Sequence, residues 1–146
     1  MMKVAFYKHH RTGMAGLFDA VIRVVTGGPY SHCELIFPSG MAYSASIQDG
    51  GTRFKRIEFD PARWDIITLP LDRFASELFC FREHGCGYDY PGAFRFLVPS
   101  IPQSKKRWFC SEVCCAALQA GGLFPGVKAW QVHPTLLYQL LTRGGS

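Results

Sequence analysis

The sequence has few charged residues and lacks any long apolar run. Charged residues make up 18% of the 146 residues, whereas apolar residues make up 48% and aromatic residues 14%, a balance typical of a globular chain rather than a disordered one. No stretch reaches the roughly 18 consecutive apolar residues of a membrane span. The N-terminus also lacks an apolar run followed by a small-residue cleavage site. We therefore expect a cytoplasmic protein without a transmembrane segment, although a phage or secretion-system protein can leave the cell by other routes.

Internal repeats, low-complexity tracts and a basic stripe typical of nucleic-acid binding are also missing. The formal net charge of +5 comes from scattered lysines and arginines, with one compact cluster at residues 105–107. This distribution favours mild attraction to anionic partners, and we expect no nucleic acid among them. The length fits the usual domain size of about 100–200 residues. We predict a single domain over residues 1–146 and leave its oligomeric state open.

Six cysteines are present, but the sequence favours neither a disulfide framework nor a metal site. The chain is large, partly helical and without an export signal, so reduced thiols are expected. Cys80, His84 and Cys86 loosely resemble metal ligands, yet no second pair of closely spaced cysteines accompanies them. We therefore expect no metal and no organic cofactor.

Hydrophobic periodicity predicts a mixed α+β fold. Alternating or β-rich segments predict strands at residues 3–8, 30–37, 41–48, 52–57 and 64–69. Helical spacing predicts helices at residues 14–26, around 93–97, from about 110 to 120 and at 134–141, whereas residues 71–82 are either a helix or a mixed segment. Residues 84–92 and 98–106 are predicted to be loops.

Cys110 falls at or just before the start of a predicted helix that Gly121 and Gly122 terminate. A thiol at that position faces unpaired backbone N–H groups and the positive end of the helix dipole, which lower its pKa from about 8.5 towards about 3.5–7.5. The same N–H groups can hold a developing oxyanion, so one position offers both a nucleophile and part of an oxyanion hole. The alternative is a small buried apolar residue, the role expected of Cys114 and Cys115 one turn further on.

His32 lies in a predicted central strand and is the candidate partner of Cys110. Alternation along the strand places His32 and Glu34 on one face. In a simple hairpin, Ser44 of the next strand lies opposite Glu34, and the same register puts Ser46 opposite His32. A thiol beside an imidazole, with a polar group that fixes the imidazole tautomer, is the arrangement that papain-type catalysis needs. The alternative for His32 is a core histidine with satisfied hydrogen bonds.

The order of these features resembles that of a known superfamily. Three short motifs carry the resemblance: Tyr30-Ser31-His32, Gly87-Tyr88-Asp89-Tyr90 and Phe109-Cys110-Ser111-Glu112. Over roughly residues 3–120 the chain resembles the circularly permuted papain-like superfamily, which is related to NlpC-type cell-wall peptidases and includes YiiX-like and lecithin:retinol acyltransferase-like proteins. In that group the histidine precedes the cysteine, the reverse of papain. The resemblance implies an α+β papain-like domain, with a small antiparallel sheet or half-barrel packed against helices and the nucleophile at a helix N-terminus.

Carried over by position, the resemblance implies a cysteine peptidase or amidase with Cys110 as nucleophile and His32 as general base and later acid. Such an enzyme passes through a thioester acyl-enzyme. The alternatives are a lipid ester hydrolase or acyltransferase on the same fold and a catalytically inactive binding domain. The family's third polar residue usually lies on the strand after the histidine, which points to Ser44 or Ser46. Neither hydroxyl orients an imidazole strongly, so we favour Glu34, whose alternative role is a substrate-binding or merely hydrogen-bonded carboxylate.

Five residues are candidates for contact with the substrate, which would be a small peptide, an amide or a lipid ester: Tyr30, Ser44, Ser46, Tyr88 and Asp89. Tyr88 and Asp89 are alternatively a turn with an aromatic lid. The basic cluster at residues 105–107 is either a solvated loop or an attraction for an acidic substrate. A small basic nucleic-acid-binding protein remains the rival from another class, and it predicts binding that weakens steeply with salt.

Overall fold

The computed structural model describes residues 1–69, 74–89 and 107–143, which form a mixed α+β fold as predicted. Its strands are β1 (Met2–Tyr7), β2 (His32–Ile36), β3 (Ala42–Ser46), β4 (Gly51–Lys55), β5 (Trp64–Leu69), β6 (Gly87–Tyr88) and β7 (Arg107–Trp108). Its helices are α1 (Gly13–Thr26), α2 (Phe74–Arg82), α3 (Cys110–Ala120) and α4 (Pro134–Arg143), with a short 3₁₀ helix at Ala129–Gln131. The predicted helix at 93–97 and loop at 98–106 lie outside the described residues.

The strands of the described residues form one sheet in the order β5-β1-β2-β3-β4-β6-β7. β2 therefore lies inside the sheet, between β1 and β3, as its two apolar faces predict. Neighbouring strands pair antiparallel except β6 and β7, which are parallel. The antiparallel sheet expected from the resemblance thus includes one parallel pair at this edge. Residues 89–106 connect the two strands, which is long enough for a parallel crossover of about a dozen residues or more.

The loop predicted at residues 84–92 is wrong at Gly87–Tyr88, which form β6. Gly51 of β4 lies directly opposite Gly87. A Cβ added to Gly51 would lie 1.8 Å from the Cys86 carbonyl oxygen, so only glycine allows the two backbones to approach this closely. A two-residue strand held by such a contact has no alternation pattern, and periodicity therefore does not reveal it.

The hairpin of β2 and β3 has the register that the sequence predicts. Leu35 pairs with Tyr43 and Ile36 with Ala42, which is the pairing of a simple three-residue turn after Phe37. This register matters because one slipped residue would turn every side chain of β2 to the opposite face.

α3 is the helix around which the described core is arranged. It packs against β2, β3, α2, α4 and the 3₁₀ helix. Eight of its eleven residues are buried. Cys114 and Cys115 are fully buried in this core, as predicted, and all six cysteines are free thiols. The position of α3 brings its first residue, Cys110, up to the start of β2.

Candidate active site

His32 and Glu34 form a short contact on β2. The His32 Nε2 atom lies 2.6 Å from Glu34 Oε2. The Glu34 side chain is completely buried, whereas His32 exposes 20% of its side chain. Two residues apart on one strand, the two side chains point to the same face, which is why alternation predicts their contact. The carboxylate fixes Nε2 of the ring and leaves Nδ1 for another partner.

Arg53 holds the other side of the Glu34 carboxylate. Its guanidinium donates to Glu34 Oε1 at 2.6 Å and to Glu34 Oε2 at 3.1 Å, while its Nε donates to Asp49 at 2.8 Å. Burial by itself raises the pKa of Glu34, but the charges of His32 and Arg53 and their hydrogen bonds outweigh it and lower that pKa. Glu34 therefore stays ionised although water does not reach it.

Cys110 is the first residue of α3 and is 4% exposed. A hydrogen bond from the Cys33 thiol lowers the pKa of Cys110 most, and the charge of His32 and a hydrogen bond from it lower that pKa further, although burial acts in the opposite direction. The pKa of Cys110 therefore lies well below its ordinary value. For His32, burial by itself lowers the pKa, but the charges of Cys110 and Glu34 raise it to about 10. These opposite shifts favour a thiolate on Cys110 and an imidazolium on His32.

The start of α3 offers backbone donors without a side-chain cap. The residue before the helix, Phe109, has extended backbone and makes no side-chain hydrogen bond to the first turn. In the same turn, Ser111 directs its hydroxyl away to the Val132 carbonyl, 2.6 Å distant, and so fixes the helix against the following segment. The first-turn N–H groups and the positive end of the helix dipole therefore lie next to the Cys110 sulfur.

A cavity of about 620 Å³ opens beside His32. The apolar residues that line it are Met14, Ala15, Phe18, Ala45, Ile47, Ile57, Trp64 and Tyr88, and the polar ones are Arg11, Asp19, Ser31, His32, Ser46, Gln48, Asp49, Arg53, Lys55 and Arg56. Cys110 faces a separate space of about 10 Å³, the volume of a single water site. Phe18, Ser31 and Tyr88 line both spaces, so the two spaces adjoin at these residues.

The five residues expected to touch a substrate lie in different places. Ser46 and Tyr88 line the large cavity. The other three are buried: Tyr30 donates from its hydroxyl to Asp65 at 2.5 Å, Ser44 donates to the Cys33 carbonyl at 2.7 Å, and Asp89 is 3% exposed. None of these three lines the large cavity within the described part of the chain.

Sequence reasoning missed two arginines of this region. Arg53 belongs to β4, and its pairing opposite Ser44 brings it across the hairpin to Glu34. Arg11 donates two hydrogen bonds of 2.6 Å to the carboxylate of the buried Asp19 of α1, and it lines the cavity. The hairpin register gave a usable signal for Arg53, because Ser44 was already placed opposite Glu34. No pattern in the sequence indicates the contact of Arg11 with Asp19.

In 1–69, 74–89 and 107–143, no group of three or more histidine, cysteine, aspartate or glutamate side chains is arranged to hold a metal ion. No helix in those ranges combines the length and the apolar character that crossing a membrane requires.

Comparison with known proteins yields no match: no family model, no curated protein and no solved structure is similar enough to this chain to count as one.

Proposed function

We propose that this chain is a cysteine hydrolase of the circularly permuted papain-like type, with Cys110 as nucleophile, His32 as general base and acid, and Glu34 as the residue that orients His32. The single observation that carries the proposal is the position of the His32 ring. Its Nε2 lies 2.6 Å from the Glu34 carboxylate, and its charge and hydrogen bonding lower the pKa of Cys110, the first residue of a helix. A thiol, an imidazole and a carboxylate supply the nucleophile, the general base and the orienting group of a catalytic triad.

In the first half of the reaction, the Cys110 thiolate attacks the carbonyl carbon of an amide or ester. The carbonyl π electrons move to oxygen, and the backbone N–H groups at the start of α3 stabilise that oxyanion. When the tetrahedral intermediate collapses, the bond from carbon to the leaving group breaks. The His32 imidazolium gives its proton to the leaving amine or alkoxide. A thioester on Cys110 remains, and His32 is neutral.

In the second half, neutral His32 takes a proton from water, and the resulting hydroxide adds to the thioester carbon. Collapse of this second intermediate breaks the carbon–sulfur bond and releases the acid with Cys110 again as thiolate. His32 keeps the proton taken from water, so the resting ion pair is restored. Throughout, Glu34 holds the ring by Nε2, which leaves Nδ1 for the proton exchange of the reaction.

The test is covalent labelling with an activity-based probe for cysteine hydrolases. We expect the wild type to be labelled at Cys110, and Cys110→Ala and His32→Ala to lose labelling. Labelling that survives either substitution contradicts the mechanism. The Cys114→Ala variant, which removes another buried thiol of the same helix, is the matched control and should label like wild type.

Iodoacetamide supplies a second measurement within one protein. Cys86 is more exposed than Cys110, but burial and Glu83 raise its pKa, whereas the pKa of Cys110 is lowered. Because only thiolates are alkylated rapidly, we expect Cys110 to react first at about pH 6. Mass spectrometry of peptides measures the modification of each cysteine. Faster modification of Cys86 than of Cys110 would contradict the activation of Cys110.

One observation favours a second candidate, a binding domain without catalysis. Cys110 is 4% exposed and faces a space separate from the large cavity. A protein that only binds a ligand in the cavity would show ligand binding with no probe labelling and no turnover of amides or esters.

A further inference from the structure

Apolar residues and cations line the large cavity, and the cations differ in how far carboxylates of the protein already compensate their charge. Arg11 is bound to Asp19 by two short hydrogen bonds, and Arg53 is shared between Glu34 and Asp49. The charges of these two arginines are therefore already compensated inside the protein.

Lys55 and Arg56 differ from those two arginines. The Lys55 ammonium lies 3.4 Å from the Asp49 carboxylate, which is closer to Arg53, at 2.8 Å. The Lys55 side chain is 49% exposed. Arg56 follows directly and makes no ion pair with any residue of the described ranges. Both line the cavity that also contacts His32. The cavity thus carries positive charge that is available to a ligand.

The size of the cavity matches an organic ligand rather than an ion. Its volume of about 620 Å³ falls within the range of about 300–1,000 Å³ typical of sites for small molecules. Apolar residues from α1, β3 and β5 line it, and so do the two cations Lys55 and Arg56, at and directly after the end of β4. A ligand with an apolar chain and an anionic group suits a lining of both kinds.

We propose that this cavity binds the acyl part of the substrate, and that Arg56, assisted by Lys55, selects acyl chains that carry an anionic group such as a carboxylate. The inference rests on the proposed hydrolase function, because it assigns the acyl group to the cavity beside His32. The connection to the reacting centre runs through Asp49, which contacts Lys55 and Arg53, and through Arg53 to the carboxylate that holds His32.

The experiment compares three esters whose six-carbon acyl chains differ in terminal charge. They are mono-4-nitrophenyl adipate (anionic), 4-nitrophenyl hexanoate (neutral) and 4-nitrophenyl 6-aminohexanoate (cationic). We expect kcat/KM to be highest for the adipate ester, about fivefold or more above the hexanoate ester, which is the effect of roughly one half-exposed charge pair. An equal or lower kcat/KM for the adipate ester overturns the proposal.

Variants assign the preference to the two cations. In Lys55→Gln/Arg56→Gln, the ratio of kcat/KM for the adipate ester to that for the hexanoate ester should fall to about one, and Arg56→Lys should retain part of it. The matched control is Lys3→Gln, which removes an exposed cation of β1 outside the cavity and should keep the wild-type ratio. A ratio that the double variant leaves unchanged also overturns the proposal.

Binding to Cys110→Ala separates this inference from the hydrolase proposal. That variant lacks the nucleophile, so calorimetry reports affinity for the intact esters. Tighter binding of the adipate ester that depends on Lys55 and Arg56, together with a wild type that hydrolyses none of the three, supports the anionic site and contradicts the hydrolase. Hydrolysis of the three esters without charge preference supports the hydrolase and contradicts the anionic site. Absence of both binding and hydrolysis overturns the inference.

Discussion

Glu34 shows how a fully buried carboxylate is tolerated in this protein. It accepts hydrogen bonds from His32 and from two nitrogens of Arg53, all between 2.6 and 3.1 Å. A buried charge left without its partner typically costs about 3–5 kcal/mol, so each member of this network depends on the others. In functional terms, the arrangement supplies a permanent negative charge next to the imidazole that faces Cys110.

Replacement of Glu34 by glutamine tests that charge at constant size. Without the carboxylate, the imidazolium of His32 is less stabilised, and it in turn stabilises the Cys110 thiolate less. In Glu34→Gln we therefore expect the pH profile of iodoacetamide reaction at Cys110 to move to higher pH and hydrolysis to fall about tenfold or more. The exposed substitution Glu58→Gln is the control, and an unshifted profile in Glu34→Gln would show that the carboxylate does not act on the pair.

The same carboxylate predicts sensitivity to acid. Its pKa in the folded protein is below the ordinary value of 4.5, so its stabilising effect is fully present above about pH 4.5 and is lost as the pH falls through the lowered folded value. We expect the free energy of unfolding of the wild type, measured with urea, to decrease from pH 5 to pH 3. For Glu34→Gln the decrease should be smaller, since glutamine does not titrate. Parallel curves for the two proteins would contradict this assignment.

At the scale of elements, α1 contributes to both spaces of the candidate site. Phe18 of α1 lines both the large cavity and the small space at Cys110, and its ring lies 6.5 Å from that of Tyr88 in an edge-to-face arrangement. The two rings thus lie where the two spaces adjoin. A substrate that reaches Cys110 from the large cavity passes these rings.

Truncation of Phe18 should widen the connection between the two spaces. In Phe18→Ala we expect iodoacetamide to react with Cys110 several-fold faster at a fixed pH, at a cost of up to about 3–5 kcal/mol in stability from lost packing. Leu17→Ala removes an exposed side chain of the same helix that lines neither space, so it serves as the control. The rate is measured where both variants are fully folded. A rate that stays at the wild-type value in Phe18→Ala would mean that Cys110 is reached by another route.

The elements themselves followed from local sequence where the pattern was long enough. Alternation and helical spacing predicted β1 to β5, α1, α3 and α4, and two glycines, Gly27 and Gly28, follow α1. Only the structure separates the roles of those glycines. Gly27 adopts a left-handed φ of 65°, whereas a Cβ on Gly28 would lie 2.0 Å from the Thr135 hydroxyl oxygen. The left-handed conformation of Gly27 can be predicted from the local sequence. The close approach of Gly28 to Thr135 cannot, because it depends on where α4 packs.

At the scale of the whole molecule, the candidate site likewise combines features that local sequence predicts with features that depend on tertiary packing. His32 beside Glu34 follows from the period of a strand, and Cys110 at a helix start follows from the helix pattern. That β2 and α3 meet at those residues was expected only from the resemblance. Arg53 could have been found from the strand register, because it pairs with Ser44, which lies opposite Glu34. The contact of Arg11 with Asp19 of α1 depends on how the segment before the helix packs, which spacing does not reveal. The cavity likewise arises from α1, β3, β4 and β5 together.

Because α3 joins the core to the candidate nucleophile, stability and site chemistry can be separated along this one helix. Leu118 is fully buried near the far end of α3, eight residues beyond Cys110. Leu118→Ala should lower the free energy of unfolding by about 2–5 kcal/mol through the cavity it creates, while the exposed Leu17→Ala should cost much less. In urea-free buffer, where Leu118→Ala remains folded, we expect the alkylation rate of Cys110 to stay close to wild type, because the contacts with His32 and Cys33 lie at the other end of the helix. A large change in that rate would show that α3 transmits core packing to the thiol and that the two ends of the helix act as one unit.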